Sequence, residues 1–384
     1  MDTARLPMSA DVSIPGERNR GRRGTWRLIL AGHQVVVTEV FWSYWHLAAE
    51  RQRVFFRRVL GLPGPWTNDS VISQYRFTNA YRAADRVSQY LLHHVIYDRD
   101  RDTLDTILRV LLFKLFNRIE TWEWLVARIG EPDASSFDAG VYTRVLDERF
   151  NSGGRLYSAA YIMPAPNLGH VRKHENHLSL LGTLLKEGVL ASLTESVSLE
   201  QLYSRLLNIQ SFGPFLAYQY AIDLNYSPVF DFDEMDFVVP GPGALRGIDK
   251  CFEDTGGLGP DEIVGCMAAS ADEFLGSGSV RFLNLFGRPL HLVDCQNLFC
   301  EVDKYARVQH PTRSRQGPSR IKQGFRADRR PLPLGFPPKW GLPWTADDPK
   351  VAAELTARAL RDVWEPLSVI RGTSPVDWTR EPNP

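Results

Sequence analysis

Cysteine is scarce in this chain. The four that occur, Cys251, Cys266, Cys295 and Cys300, include no C-x-x-C pair and match no zinc or iron–sulfur spacing. That argues against a zinc finger and against a cluster enzyme. Net charge is missing too: 45 Lys and Arg balance 45 Asp and Glu, so no global field draws the chain onto nucleic acid. Contact with a polyanion must come from local patches. Long apolar runs are absent, so no membrane span is expected. The first 25 residues are polar and Arg-rich without the apolar stretch of a signal peptide. The chain reads as cytoplasmic, with reduced thiols, no membrane partner and no cofactor. It also lacks a G-x-x-x-x-G-K-[ST] loop, so an attached kinase domain is not expected.

What is present is ample core material: 43% of the 384 residues are hydrophobic and 11% aromatic. Length suggests two or three lobes. Residues 39–60 carry aromatics and aliphatics at helical spacing and stop at the breaker GLPGPW. Thr67-Asn68-Asp69 offers a cap for a helix from about 69 to 96. Leu104, Ile107, Leu108, Leu111, Leu112, Leu115, Phe116, Ile119 and Trp122 repeat as one core helix over 104–126. Further helical runs cover about 138–149, 174–190, 198–208, 214–225, 261–275 and 290–306. Strand-like alternation is limited to 28–38 and 155–163. The fold class is mainly α, with two helical lobes and a cleft between them. In outline, a flexible basic arm (1–35) leads into a helical domain (36–306) with a hairpin near 208–214. A basic, Pro/Arg-rich loop (307–345) and a C-terminal helix and tail (346–384) follow.

Two basic patches stand out: RNRGRRGTWR at 18–27, and residues 307–330, which include Arg313, Arg315 and Lys322 against one acid, Asp328. Both have a plain reading as solvated arm and loop. The second also offers DNA-phosphate contacts, and these raise affinity without specifying chemistry.

The stretch IQSFGPFLAYQYAIDLNYSPVFDFDE (209–234) carries the most chemistry. Gly213 tolerates unusual φ, and Pro214 needs no N–H in a first helical turn. Helix, tight turn and helix would leave N–H groups of Ser211, Phe212 and Gly213 open to a DNA phosphate. Pro228 ends the second helix, and carboxylates follow. This layout resembles the helix–hairpin–helix DNA glycosylases, whose hairpin reads roughly L-P-G-V-G before a Pro and a catalytic Asp at fixed distances. Gly213 matches the second Gly, Pro228 the Pro and Asp233 the Asp. Asp236 is the alternative if the register slips by a turn. Ser211 replaces the first Gly, and Phe215 stands where lyase-type members place a Schiff-base Lys, so the resemblance implies hydrolysis without lyase activity. A carboxylate there would stabilise oxocarbenium charge and orient a water. The alternative is that DFDEMD (231–236) caps the next helix and faces solvent.

A longer resemblance covers about 38–308. FWSYWHLAAERQRVFFRRVLGLPGPWTNDSVISQYRFTNAYRAADRVSQYL, VVPGPGALRGIDKCF and HLVDCQNLFCEVDKY are similar to blocks of the α-glutamyl/putrescinyl thymine pyrophosphorylase family, also described as the helical domain of 5-hydroxymethyluracil DNA kinases. That family is associated with hypermodified DNA pyrimidines in phages, and some relatives are stand-alone anti-phage glycosylases. The resemblance implies a monomer acting on double- or single-stranded DNA with modified bases, such as glucosylated hydroxymethylpyrimidines, and leaving abasic sites. Two alternatives stay open: a transferase replacing a pyrophosphate on hydroxymethyluracil with an amine or amino acid, and a non-enzymatic reader of modified DNA.

Within these blocks Gln74, Arg76, Asn79 and Arg82 span two turns of the expected 69–96 helix, as donors for the edge of a flipped base. Their alternative is an internal polar network with Asp85 and Glu120. Phe150, Asn151, Tyr157 and Tyr161 offer a stacking wall or plain core. The glycines of GPGALRGID could admit a phosphate or simply serve a turn. Glu301, Asp303 and Lys304 read as helix ion pairs. His174 and His177 sit at i, i+3 without a third metal ligand, and His93-His94 reads as structural.

Overall fold

The computed structural model describes residues 25–159, 161, 163–276, 282–314, 318–326 and 334–342. The described chain divides into two compact units. One comprises residues 25–85 and 238–326, the other 86–237 and 334–342.

The first unit opens with an antiparallel pair, β1 (Thr25–Leu30) and β2 (His33–Thr38), in register from Thr25 opposite Thr38 to Leu30 opposite His33. Its two-residue turn, Ala31-Gly32, has positive φ at both positions (47° and 80°), matching the twist of a tight hairpin. Leu28, Leu30, Val35 and Val37 are buried. The arm expected to run through residue 35 is therefore sheet from residue 25 onward, because alternate apolar side chains have a core to enter.

α1 (Glu39–Val59) follows at once, with the Thr38 hydroxyl accepting from the Val40 N–H at 3.1 Å. It buries Phe41, Tyr44, Trp45, Leu47, Ala48, Val54 and Phe55. α2 (Ser70–Gln74) is capped by Asp69, whose carboxylate takes the Val71 and Ile72 N–H groups at 2.8 Å. The helix expected to continue to residue 96 stops there. The Arg76 N–H bonds to the Gln323 carbonyl, Thr78 N–H to Glu301 and Asn79 N–H to Asp85, so this backbone pairs outside any helix. A 3₁₀ turn, Arg82–Ala84, closes the stretch.

The second unit begins with α3 (Arg86–Leu91), which passes into a π turn, Leu92–Ile96. The single helix expected over 104–126 is two, α4 (Thr103–Phe116) and α5 (Ile119–Ile129). They are separated by Asn117 at φ 47°, a left-handed conformation that Asn tolerates better than most residues. α6 (Ala139–Asn151), α7 (Lys173–Lys186), α8 (Val189–Ser192), α9 (Leu199–Leu207) and α10 (Pro214–Asn225) complete it. The described residues of 155–163 form no strand.

Back in the first unit, α11 (Pro242–Cys251) starts with Gly241 as N-cap and Pro242 in its first turn. β3 (Phe252–Asp254) joins β2 antiparallel through a bulge at Val36/Val37, giving the order β1-β2-β3. α12 (Pro260–Ala269), α13 (Ala271–Gly276) and α14 (Leu292–Gln309) follow. The C-terminal helix and tail expected over 346–384 lie outside the described residues. The glycines of GPGALRGID serve packing: a Cβ at Gly247 would lie 2.1 Å from the Phe299 carbonyl oxygen, and one at Gly243 3.0 Å from Cys300 Sγ. α11 and α14 approach closely because those side chains are missing. Asp303, 1% exposed on its side chain, binds Lys250 Nζ across this contact at 2.6 Å and Arg307 on its own helix at 2.6 Å. Gly247→Ala should therefore lower unfolding stability by about 3 kcal/mol, read from the denaturant midpoint.

Candidate functional site

The hairpin is built from α9 and α10. α9 is capped by the Ser198 hydroxyl and buries Leu199, Leu202 and Leu206. After it Ile209 and Phe212 turn inward, each 5% exposed, and Phe212 packs on Tyr220 with ring centroids 4.7 Å apart. With these two fixed inside, Ser211 is left at φ 72°. The departure noted at this position is thus a real conformational demand: a serine occupies a left-handed site that glycine would fill without strain. Gly213 has an ordinary φ of −78°, is exposed, and has nothing within 4 Å of the place a Cβ would take. Neither backbone nor packing requires a glycine there. The Gly213, Phe215 and Leu216 N–H groups have no acceptor among the described residues, and Pro214 has no N–H. The Phe212 N–H, expected to grip phosphate, is used inside the turn by the Ile209 carbonyl at 3.0 Å.

The acidic turn follows in the same unit. Buried Asn225 accepts from the Phe232 N–H and donates to the Phe232 carbonyl, both at 3.0 Å. Lys339 Nζ donates to the carbonyls of Asn225 and Phe230. The loop after Pro228 is thereby clamped at both ends. Asp231, Asp233 and Asp236 are exposed, while Glu234 is buried at 4%. Asp233 Oδ1 accepts from the Met235 N–H at 2.8 Å, closing a turn. DFDEMD caps no helix, since α11 starts at Pro242.

The expected base-pocket residues are divided between the two units. Gln74 and Arg76 are exposed on the first unit. Asn79 and Arg82 are buried there as scaffolding. Asn79 accepts from Arg51 at 2.8 Å and donates to the Ala84 carbonyl at 2.8 Å, and the Arg82 N–H bonds to Asp294 at 2.8 Å. Desolvation pushes Asp85 and Asp294 up to about 6 and Arg51 down to about 10. The internal network is thus the one these residues join, through Asp85, Arg51 and Glu301. Glu120 instead pairs with Arg118 at 3.2 Å in the other unit.

Phe150, Asn151, Tyr157 and Tyr161 belong to the second unit and do not form one wall. Phe150 is 52% exposed beneath the Arg172 guanidinium, 5.3 Å from its ring, and Arg172 also donates to Asn151 at 3.3 Å. The Tyr157 hydroxyl meets His177 Nδ1 at 2.9 Å, and His177 Nε2 meets the Pro164 carbonyl at 3.0 Å. Since a carbonyl only accepts, Nε2 carries the proton and Nδ1 accepts from the tyrosine. Burial drives His177 down to about 4, and Lys173 and His174 nearby work the same way. His174 contacts Asp147 at 2.8 Å. Tyr161, at φ 54°, stacks on Phe215 with centroids 5.8 Å apart and planes 5° apart. Lys114 Nζ lies 4.4 Å from the Tyr161 centroid and 2.6 Å from Asp223, both ion-pair side chains being almost wholly buried. Nothing in the sequence singled out Lys114 or Asp223. They are charges at core positions of α4 and α10, and that mismatch was the available signal.

On the basic segment, Arg313 is held by Glu39 in a two-pronged pair at 3.0 Å on each arm, which lowers the Glu39 carboxyl. Its guanidinium is therefore committed to α1. Lys322 is exposed, and Arg315 lies outside the described residues. Glu301 and Lys304 pair at 2.7 Å.

The family described as 5-hmdU DNA kinase, helical domain, matches residues 38–315. The 5-hmdU DNA kinase of Bacillus phage SP10 is 28% identical over 249 residues, covering 59% of this chain and 38% of that protein. The chain thus spans well under half the length of that relative. No solved structure matches.

Ser211→Gly should raise stability by about 1 kcal/mol, seen as a higher denaturant midpoint, because it relieves the left-handed strain. His177 should titrate near 4 by imidazole NMR. Its folded pKa lies below the unfolded one, so the unfolded chain takes up protons first as pH falls from 6.5. The stability advantage of wild type over His177→Gln should shrink by about 3 kcal/mol between pH 7 and pH 4.

Proposed function

Because the chain belongs to the family of 5-hmdU DNA kinase helical domains, we propose that it acts on DNA carrying hypermodified pyrimidines, hydrolysing their N-glycosidic bond. The observation that carries this reading is the hairpin of α9 and α10 followed by the clamped acidic turn. The N–H groups of Gly213, Phe215 and Leu216, without an acceptor among the described residues, suit a phosphate oxygen, and an unsubstituted Gly213 lets the backbone close on it. One turn of chain beyond α10, Asp233 keeps Oδ2 free of any hydrogen bond among the described residues. In this reading the carboxylate stabilises cationic character at C1′ and takes a proton from an attacking water. The water oxygen bonds to C1′, the C1′–N bond breaks, and the base leaves with the bonding pair. DNA covering the turn would exclude bulk water and strengthen that field. Asp236, exposed on the same turn, is the second candidate.

Lyase chemistry is not part of the proposal. Phe215 offers no amine, and Lys114, the amine near it, is tied to Asp223 on one side and covered by Tyr161 on the other. In a bacterial setting such an activity would strip modified bases from phage DNA. A second reading, transfer of an amine or amino acid onto pyrophosphorylated hydroxymethyluracil, draws on the similarity to a phage enzyme named as a DNA kinase. Under that reading the base stays attached.

Asp233→Asn should slow abasic-site formation on DNA with glucosylated hydroxymethylpyrimidines at least about a hundredfold, and Asp236→Asn much less. Aldehyde-reactive probing of abasic sites reads both rates. Equal rates for wild type and both variants would remove these carboxylates from the mechanism.

A further inference from the structure

Between Glu148 and Glu175 the chain has no carboxylate but carries Arg149, Arg155, Arg172 and Lys173, with Phe150, Tyr157 and Tyr161 among them. In the fold this stretch leaves the end of α6, crosses an irregular segment and enters α7. Seven large apolar side chains are exposed among the described residues, and three of them lie here: Phe150 at 52%, Leu168 at 37% and Val171 at 100%. Arg172 joins them, following Val171 in the chain and lying over the Phe150 ring at 5.3 Å. Phe150 and Arg172 thus meet in space, and Leu168 and Val171 lie on the loop that leads into Arg172.

The patch is held in shape. Buried Asn176 accepts from the Leu168 N–H at 2.8 Å and the His170 N–H at 3.4 Å, and donates to the His170 carbonyl at 2.8 Å and the Arg172 carbonyl at 2.9 Å. Gly169 supplies the positive φ (85°) for the bend. His170 is braced by the Ser179 hydroxyl at 2.8 Å. Asp147 fixes Arg172 and His174 from α6. A loop tied down this thoroughly still presents a fully exposed valine, although several of its neighbours are buried.

We propose that Phe150, Leu168 and Val171, with Arg149, Arg155 and Arg172 around them, form a platform for an unpaired segment of DNA. Base faces stack on the phenylalanine and cover the aliphatic tip, and the cations track the backbone. A polyanion fits this stretch better than an ordinary protein surface does: Arg172 pairs with Asp147, but Arg149, Arg155 and Lys173 have no ion pair among the described residues. Only an unstacked strand offers base faces, because those of a duplex are already covered. The platform rests on the DNA-acting reading above and adds to it the state of the strand.

Fluorescence anisotropy of the full chain with a fluorescein-labelled thymidine 20-mer and a hairpin duplex of equal length tests it. Wild type should bind both. Phe150→Ala should weaken single-strand binding about tenfold more than duplex binding, Val171→Asp should act in the same direction, and Phe150→Trp should restore affinity. These exposed positions can change without unfolding the unit. Duplex binding without single-strand binding, or Phe150→Ala and Val171→Asp holding the single strand as wild type does, would overturn the platform alone. Binding of neither DNA by wild type would overturn the DNA-acting reading and the platform with it.

Discussion

Ile209 and Phe212 are buried three residues apart, and the short connection between α9 and α10 has to satisfy both. That constraint drives Ser211 to a left-handed backbone, uses the Phe212 N–H internally and turns Gly213 and Pro214 outward. α10 then begins at Pro214, and its first-turn N–H groups have no acceptor among the described residues. Its length and Pro228 set where the carboxylates appear. The proposed grip on phosphate and the proposed chemistry are both consequences of two apolar anchors in a six-residue turn.

The irregular segments share a second device. Asn225 clamps the acidic turn, Asn176 the loop before α7, and Asn79 the stretch after α2, each as a buried amide bonded to backbone or to a neighbouring charge. A buried amide can donate and accept at once, so it satisfies loop backbone that no helix or strand pairs. Loops held this way can present unusual exposed groups without losing shape. A carboxylate at Asp233 and an aliphatic tip at Val171 are the two cases here.

Much of the helical framework was legible, because apolar periodicity reflects burial directly. α10 falls on the residues its spacing indicates, and α1 and α9 lie within a residue or so. The misreadings have physical causes. The 69–96 stretch has helical rhythm, but its backbone finds partners in residues 323–325 and in Glu301 and Asp85, which local spacing cannot reveal. Asn117 splits a uniformly apolar run by taking a conformation its neighbours would resist. α11 hid in a Gly- and Pro-rich stretch whose glycines admit α14. For the site, residue types were easier to nominate than their company. Asn79 and Arg82 looked like base readers and are internal scaffolding, Arg313 is engaged by Glu39, and the Lys114–Asp223 pair exists only once α4 meets α10.

If this chain removes a modified base from DNA, as proposed, the fate of that base decides it. Hypermodified phage DNA incubated with the full chain would be digested to nucleosides and compared, by mass spectrometry, with untreated DNA and with the small molecules released. Base removal predicts loss of the modified nucleoside, an equal amount of free modified base, and no new nucleoside. An unchanged nucleoside profile, or a new amine-substituted thymidine with no free base, would contradict it.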